Sequence, residues 1–359
     1  MKICFLAPAS VIHTVRWVNA MAQRNHDVHL LTMHGEDMDK FDDRVNIHLL
    51  KIRPPFGYFL NVIEAKRIIE KLKPDLLHTH YASGYGTLAR LINYTPTLLS
   101  VWGSDVYLFP YESKSKEKTL RKNLSAVDHI TSTSLDMRRQ TELFVTRPID
   151  VIPFGIETSR FRPTKAKADD TIVIGTVRKL EPVYGIDILI KATGLLIQHL
   201  KDQSQADIAD HIRLKIVGKG PQQQELEKLA EQYHIRHMTE FTGQVPNDQV
   251  IDELNQMDIF AAFSRSESFG VAVLEASACE LPVVVSHVGG LPEVVQHGET
   301  GFIHSLDDMD GMVASFIQLV LNQEKRKQMG EKGRSFVKQH YKWQENVSKM
   351  QEIYHELVH

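Results

Sequence analysis

Two carboxylates eight residues apart, Glu267 and Glu275, bracket a polar turn and the start of a helix in FAAFSRSESFGVAVLEASACELPVVVSHVGGLP, residues 260–292. The stretch reads as a short apolar strand from Ile259 to Phe263 and a turn from Ser264 to Ser268. A helix then begins near Gly270 and ends before Pro282, because proline interrupts a helix. A second buried strand, Pro282 to Ser286, runs into the pair Gly289 and Gly290. A turn that feeds a helix N-terminus offers backbone N–H groups to an anion such as a phosphate. Glu267 precedes the helix and Glu275 lies about one and a half turns into it, so they cannot both cap it. Taken alone, they read as an acid near a positive helix end and a solvated face residue. The alternative is that they meet a ligand held at this turn.

Other chemistry-bearing residues sit at matching places. Arg178 and Lys179 directly follow a strand in TVRKLEPVYGID. A guanidinium there can grip a diphosphate with two parallel hydrogen bonds, or it can pair with Glu181 on the surface. Gly218 and Gly220 form a short glycine pattern after another strand. Ser10 and His13 follow the first strand, His80 marks the exit of a later one, and Trp102 and Asp105 lie in VWGSD. Trp102 fits either a core position or a platform on which a sugar stacks. His78 falls within a strand and reads as core.

The elements that position these residues come in two alternating series. Strands at Lys2–Ala7, Asp27–Met33, Val45–Leu50, 74–78, Thr97–Trp102, Val127–Thr131 and 150–153 are interleaved with helices near 15–24 and 59–72. Such spacing implies parallel β-α-β units. Residues 154–169 read as a linker, with Pro153 and Pro163 as interruptions. The alternation restarts at Thr171 and ends in three helices, 309–322, 324–336 and 343–358, and Pro221 is expected at the first position of a helix. The expected fold class is α/β, with two Rossmann-like doubly wound domains, 1–160 and 170–340, facing a central cleft. Ligands of such sheets bind beyond the carboxyl ends of the strands. The loops 8–14, 80–86, 102–105, 178–185, 218–221, 264–270 and 287–291 are all expected there.

Composition narrows the class. Of the 359 residues, 42% are hydrophobic and 24% charged, as in soluble globular chains rather than disordered or membrane-spanning ones. No apolar run reaches the ~18–20 residues of a membrane span. Cys4 and Cys279 lie in apolar contexts and are expected as buried thiols. No Cys/His spacing fits zinc, and no paired aspartates at a strand end suggest a cation site. The first 160 residues carry an excess of cations, with Lys114, Lys116, Lys118, Arg121 and Lys122 clustered in YESKSKEKTLRKN. The rest carries an excess of carboxylates around the net charge of −3. The basic cluster fits a solvated face or a surface that visits anionic lipid.

ESFGVAVLEASAC followed by LPVVVSHVGGLPEVV resembles the donor-binding segment of the retaining GT-B glycosyltransferases of the large family-four (group 1) class. The resemblance extends through SVIHTVRW, DVHLL, VIPFGIETSRF and EVVQHGETGF; it is close in the second half and looser in the first. It implies a GT-B architecture in which the last helix, 343–359, crosses back to the first domain. It implies transfer of a sugar from a nucleotide-diphosphate donor, UDP-linked in expectation, to a lipid-linked or polysaccharide acceptor. In that reading Glu275 takes the ribose hydroxyls and Glu267 the donor sugar. Backbone N–H groups of Phe269, Gly270 and Val271 hold the phosphates, with Lys179, Gly218 and Gly220 nearby. Arg178 stabilises the leaving diphosphate, and His13 and Asp105 complete the expected catalytic set. Ser10, His80 and Trp102 are acceptor-side candidates.

No cofactor, no metal and no nucleic-acid partner are expected, and the basic cluster leads to the expectation of a cytoplasmic protein that visits the inner face of the membrane. Two departures stand out: the family's Lys falls on Val183, and its His on Trp102. They leave room for a sugar-nucleotide epimerase or hydrolase, or for a non-catalytic binder of sugar nucleotides.

Overall fold

The computed structural model describes residues 1–35, 38–164 and 170–359. Residues 36–37 and part of the expected linker, 165–169, lie outside the described residues. The chain forms two compact units: Met1–Phe154 with Gln344–His359, and Gly155–Trp343. The break at Phe154 comes a few residues earlier than the boundary expected at 160.

Unit 1 is built on a seven-stranded, all-parallel sheet of order β3-β2-β1-β4-β5-β6-β7. Its strands are β1 (Lys2–Leu6), β2 (Asp27–Thr32), β3 (Val45–Leu49), β4 (Leu76–His80), β5 (Thr97–Ser100), β6 (His129–Ser132) and β7 (Asp150–Val151). The crossovers carry α1 (Ile12–Gln23), α2 (Gly57–Leu60), α3 (Val62–Leu72), α4 (Gly84–Ile92), α5 (Ser104–Tyr107), α6 (Lys114–Ser125) and α7 (Leu135–Glu142). β1 and β4 are buried almost throughout, β4 with His78, Thr79 and His80 among its five residues, because helices cover both faces of a parallel sheet.

Three readings change. The first helix starts at Ile12, three residues before the expected Val15. The helix expected over 59–72 is two helices meeting at Asn61. α4 was hidden by Gly84 and Gly86, poor helix formers. Burial of Tyr85, Leu88, Ala89 and Ile92 in one apolar cluster holds it nonetheless.

Unit 2 repeats the plan with six parallel strands in the order β10-β9-β8-β11-β12-β13. They are β8 (Ile172–Val177), β9 (Ile212–Val217), β10 (Thr239–Gly243), β11 (Ile259–Ala262), β12 (Val283–Ser286) and β13 (Gly301–His304). The helices are α8 (Ile186–Asp202), α9 (Ala206–Asp210), α10 (Gln223–Gln232), α11 (Val250–Leu254), α12 (Val271–Ala278), α13 (Leu291–Val294), α14 (Met309–Leu321) and α15 (Gln323–His340). Pro221 sits in a turn two residues before α10 rather than at its first position. Ile174, Leu189, Ile216, Phe263, Val284 and Phe316 belong to the core of this unit.

The last helix, α16 (Trp343–Val358), is counted with unit 1 from Gln344 onward. Fully buried Tyr354 bonds its hydroxyl to Nδ1 of buried His78 at 2.6 Å, and His78 Nε2 continues to Ser100 Oγ at 2.8 Å. Arg24 of unit 1 donates to Gln344 O, Ser348 Oγ and Gln351 Oε1 at 3.0–3.1 Å. A buried polar chain of this kind costs stability if any member is lost, because its partner is left unsatisfied. Both cysteines are free and buried, and burial pushes each thiol up to about 12.

Candidate active site

In each sheet the chain leaves its first strand in one direction and later returns to its other side. That reversal lies between β8 and β11 in unit 2 and between β1 and β4 in unit 1. At such a switch point the crossover helices depart to opposite faces, so the strand ends leave a hollow open to ligands.

In unit 2, Arg178 follows the end of β8, its backbone N–H donating to Val217 O at 2.9 Å. Glu267 lies in the turn between β11 and α12. The two meet at the switch point, with Arg178 Nη2 3.0 Å from Glu267 Oε2 and both side chains only 10–12% exposed. The contact is one of proximity: Arg178 Nε and Nη2 are buried and make no directed hydrogen bond. Its guanidinium carbon stands 5.6 Å from the centre of the Tyr184 ring. Burial raises the Tyr184 hydroxyl above its usual range, Arg178 opposing and Glu267 adding. On its other side Glu267 Oε2 accepts from Ser264 Oγ at 3.4 Å, and Ser286 Oγ donates to Ser264 O at 2.7 Å. A cation with unfilled N–H directions beside a carboxylate can engage a diphosphate oxygen and a sugar hydroxyl at once.

The glycines explain how these groups come so close. A Cβ on Gly289, at φ +54, would lie 1.9 Å from Glu267 O, and Gly290 N–H donates to that same oxygen at 3.0 Å. A Cβ on Gly218, at φ +145, would lie 1.8 Å from Arg178 O. Gly220 is pressed in the same way against Leu180. These glycines therefore serve the packing of the switch-point loops on one another. α12 starts after Gly270, at φ +102, with no side-chain cap and no acid in its first turn. Its N-terminal dipole is left for an anion. Phe269 is buried, Val271 opens the helix, and Glu275, half-buried, is its fifth residue.

Sequence reasoning missed Arg265. Its guanidinium holds Asp187 through two bonds of 2.8 and 2.7 Å and also donates to Pro182 O at 2.7 Å. Its backbone N–H donates to Val183 O at 2.7 Å. Burial would raise the Asp187 carboxyl, but the bonds and charge of Arg265 outweigh that and lower it. Arg265 thus clamps the loop carrying Tyr184 to the turn carrying Glu267. Nothing in the spacing of 187 and 265 signals the pair. Val183 takes part through its backbone, and Lys179 is exposed beside Arg178.

In unit 1, Ser10 is exposed after β1, and His13 lies in the first turn of α1. The His13 ring stacks on Phe154 at 3.9 Å, with Trp102 edge-on at 6.2 Å. Burial, then Arg16, pushes His13 down to about 3, so the imidazole is neutral, and its Nδ1 is buried without a partner. The other three candidates, His80, Trp102 and Asp105, are all buried. His80 is the last residue of β4 rather than a loop residue and is fully buried. Its Nδ1 meets Thr14 Oγ1 at 3.2 Å, Trp102 covers it at 4.0 Å, and its Nε2 is buried without a partner.

Trp102 is 7% exposed and is walled by His80, Tyr81 and Phe154, which makes it core rather than a platform. Asp105 is 1% exposed; its Oδ1 accepts from the N–H of Gly103 at 2.8 Å and Trp102 at 3.2 Å, and its Oδ2 from Ala82 at 2.8 Å. Burial raises this carboxyl and the backbone bonds oppose the rise. Asp105 staples two loops, and its geometry gives no support to the catalytic role expected for it.

The chain matches the family described as "Glycosyl transferases group 1" over residues 157–336 and "Glycosyl transferase 4-like" over residues 2–134. It belongs to the group 1 glycosyltransferases and is a glycosyltransferase of GT-B fold. It is 27% identical to N-acetyl-alpha-D-glucosaminyl L-malate synthase of Bacillus anthracis, covering 94% of this chain and 91% of that one. It is 28% identical to the gpi3 subunit of phosphatidylinositol N-acetylglucosaminyltransferase of Schizosaccharomyces pombe, covering 83% and 63%. The fold is similar to sucrose-phosphate synthase of Thermosynechococcus elongatus, with TM-score 0.84, 18% identity and 99% of each chain covered. It is also similar to Anabaena HepE in complex with UDP, with TM-score 0.82, 16% identity, and 99% and 100% covered. Family membership sets aside the epimerase, hydrolase and non-catalytic readings. Among the described residues, no helix is long and apolar enough to cross a membrane, and no cluster of three or more His, Cys, Asp or Glu is placed to hold a metal.

Proposed function

We propose that the protein is a retaining, metal-independent glycosyltransferase that moves a sugar from a UDP-sugar to a lipid-linked or polysaccharide acceptor. The observation that carries this reading is the buried Arg178 guanidinium, with undirected N–H groups, beside Glu267 at the switch point of unit 2. The diphosphate lies against Arg178 and the N-terminus of α12, Glu275 takes the ribose hydroxyls, and Glu267 a hydroxyl of the sugar. The acceptor oxygen bonds to the anomeric carbon on the face that the diphosphate leaves. The bond from that carbon to the diphosphate oxygen breaks, and the acceptor proton passes to a diphosphate oxygen. No protein nucleophile enters, and the configuration is kept. Arg178 stabilises charge that grows along this path, so it acts more on turnover than on donor binding.

UDP is supported by the UDP complexes of Anabaena HepE, a protein of the same fold. A lipid-linked acceptor is supported by the phosphatidylinositol named in the yeast relative. Thermal stabilisation by a panel of UDP- and GDP-sugars, followed by NMR of the product, tests the reading. A UDP-sugar should stabilise most, EDTA should leave turnover unchanged, and an α-linked donor should give an α-linked product. A β-linked product, or a strict need for added Mg²⁺ or Mn²⁺, would overturn the mechanism; preference for GDP-sugars would overturn the donor.

A further inference from the structure

Exposed apolar side chains are concentrated in one short stretch of unit 1. Phe56 is 70% exposed, Ile63 66%, Leu60 61% and Phe59 58%. Their spacing, at 56, 59, 60 and 63, is that of a single helical face. The opposite face of the same segment is already used: Tyr58, Val62, Ala65 and Ile69 pack into the apolar cluster beneath. The segment is therefore apolar on both sides, and the fold needs only one. Asn61 ties it to the exit of β3. Its Oδ1 accepts from Ile52 N–H at 3.1 Å and its Nδ2 donates to Ile52 O at 2.7 Å. Leu49 and Ile52, a few residues earlier in the chain, are exposed as well.

Charge identifies what covers this surface. From Leu49 to Lys73 the chain carries Lys51, Arg53, Lys66, Arg67, Lys71 and Lys73 against Glu64 and Glu70, a net of +4. Two copies meeting through this face would bring like charges together, which disfavours a dimer. An exposed apolar face on a stretch of net positive charge matches an anionic bilayer, where apolar groups enter the headgroup boundary and cations meet lipid phosphates. The basic helix α6 fits that role less well. Lys116 pairs with Glu112, Arg121 pairs with Glu117 and lies 5.2 Å from the Phe144 ring, and the helix offers no comparable apolar face. α2 also follows the carboxyl end of β3, the sheet edge at which Ser10 and His13 follow β1. One strand, β2, lies between β3 and β1, so two spacings of ~4.8 Å put their ends about 10 Å apart.

We propose that the outer face of α2 and the start of α3 docks unit 1 on an anionic lipid bilayer. The proposal deepens the lipid-linked acceptor reading and rests on it for its purpose, while the docking itself stands on the surface alone. Vesicle co-sedimentation of the full chain tests it, using phosphatidylglycerol-containing and pure phosphatidylcholine vesicles at low and high salt. The chain should prefer anionic vesicles, and high salt should weaken binding without abolishing it, since the apolar contribution is not screened. Phe56→Ser/Phe59→Ser should lose more than about tenfold in partitioning, because buried apolar area sets the strength of interfacial binding. That variant should keep its melting temperature and its stabilisation by UDP. Lys114→Gln/Lys118→Gln/Lys122→Gln should partition like the wild type.

Equal partitioning of the phenylalanine variant and the wild type would overturn the proposal. So would a dimer that this variant dissolves, with no vesicle binding by the wild type. Ile63→Ser gives an independent reading should the double variant fold poorly. Docking without transfer to a lipid-linked acceptor would sink the acceptor reading and leave the docking surface standing; transfer without docking would do the reverse.

Discussion

Replacing Glu267 with Gln removes one charge from the switch point and leaves the shape nearly unchanged. Unit charges about 4 Å apart attract by ~4 kcal/mol at an effective dielectric of ~20. Removing one member of a buried pair commonly costs ~3–5 kcal/mol, because the other charge is left buried alone. Here both side chains keep 10–12% exposure and the Tyr184 ring faces the guanidinium, which soften the loss. A cation–π contact of this kind offsets ~0.5–2 kcal/mol. The expected destabilisation is therefore ~2 kcal/mol, or ~4–8 °C for a unit of this size. Ligand binding should move in opposite directions for two ligands. UDP alone no longer competes with Glu267 for Arg178, so its affinity should rise by about two- to tenfold, ~0.4–1.4 kcal/mol. Turnover of a UDP-sugar should fall, because the contact to the sugar hydroxyl is weakened. Calorimetry with UDP, thermal melts and product formation read the three effects. UDP binding that is unchanged or weaker in a folded Glu267→Gln variant would refute the placement of the diphosphate on Arg178.

Glu275→Ala should weaken UDP binding by ~1.5–3 kcal/mol, the usual worth of a hydrogen bond to a charged group, with the melting temperature little changed; unchanged affinity in calorimetry would remove the ribose assignment. Arg178→Ala should lower kcat by more than it raises the donor KM, and a kcat equal to wild type would move the leaving-group partner elsewhere, with exposed Lys179 next in line. Acid should destabilise unit 1. Burial pushes His13 and His78 down to about 3 and His80 well below its usual range, so all three stay neutral when folded and take up protons on unfolding. Because the folded values lie below the unfolded value of about 6.5, stability is complete above that pH and declines below it, by up to ~1.4 kcal/mol per ring per pH unit. Denaturant unfolding at about pH 7 and about pH 5.5 measures the slope, and stability that stays level or rises on acidification would contradict it.

Local pattern alone reveals the two alternating series, the glycine pairs and the helix that opens at Gly270. Strand burial, helix starts and proline interruptions act over a few residues, and their signals stay within a short window. The placement of Arg178 and Glu267 at strand exits was readable for that reason. Their meeting was not: it depends on β8 and β11 being neighbours, which sheet order decides and spacing along the chain does not. The same holds for Arg265 with Asp187, seventy-eight positions apart along the chain, where two loops close on each other.

Burial also reassigned the acceptor side. His80, Trp102 and Asp105 carry the residue types of a site, yet packing buries all three, with His80 Nδ1 on Thr14 and the Asp105 carboxylate on loop backbone. In 59–72, apolar residues at helical spacing announced a helix, while only the tertiary structure showed which side the core takes and which side is left outward. Periodicity records that a face is apolar; what covers that face is decided by the rest of the chain or by a partner outside it.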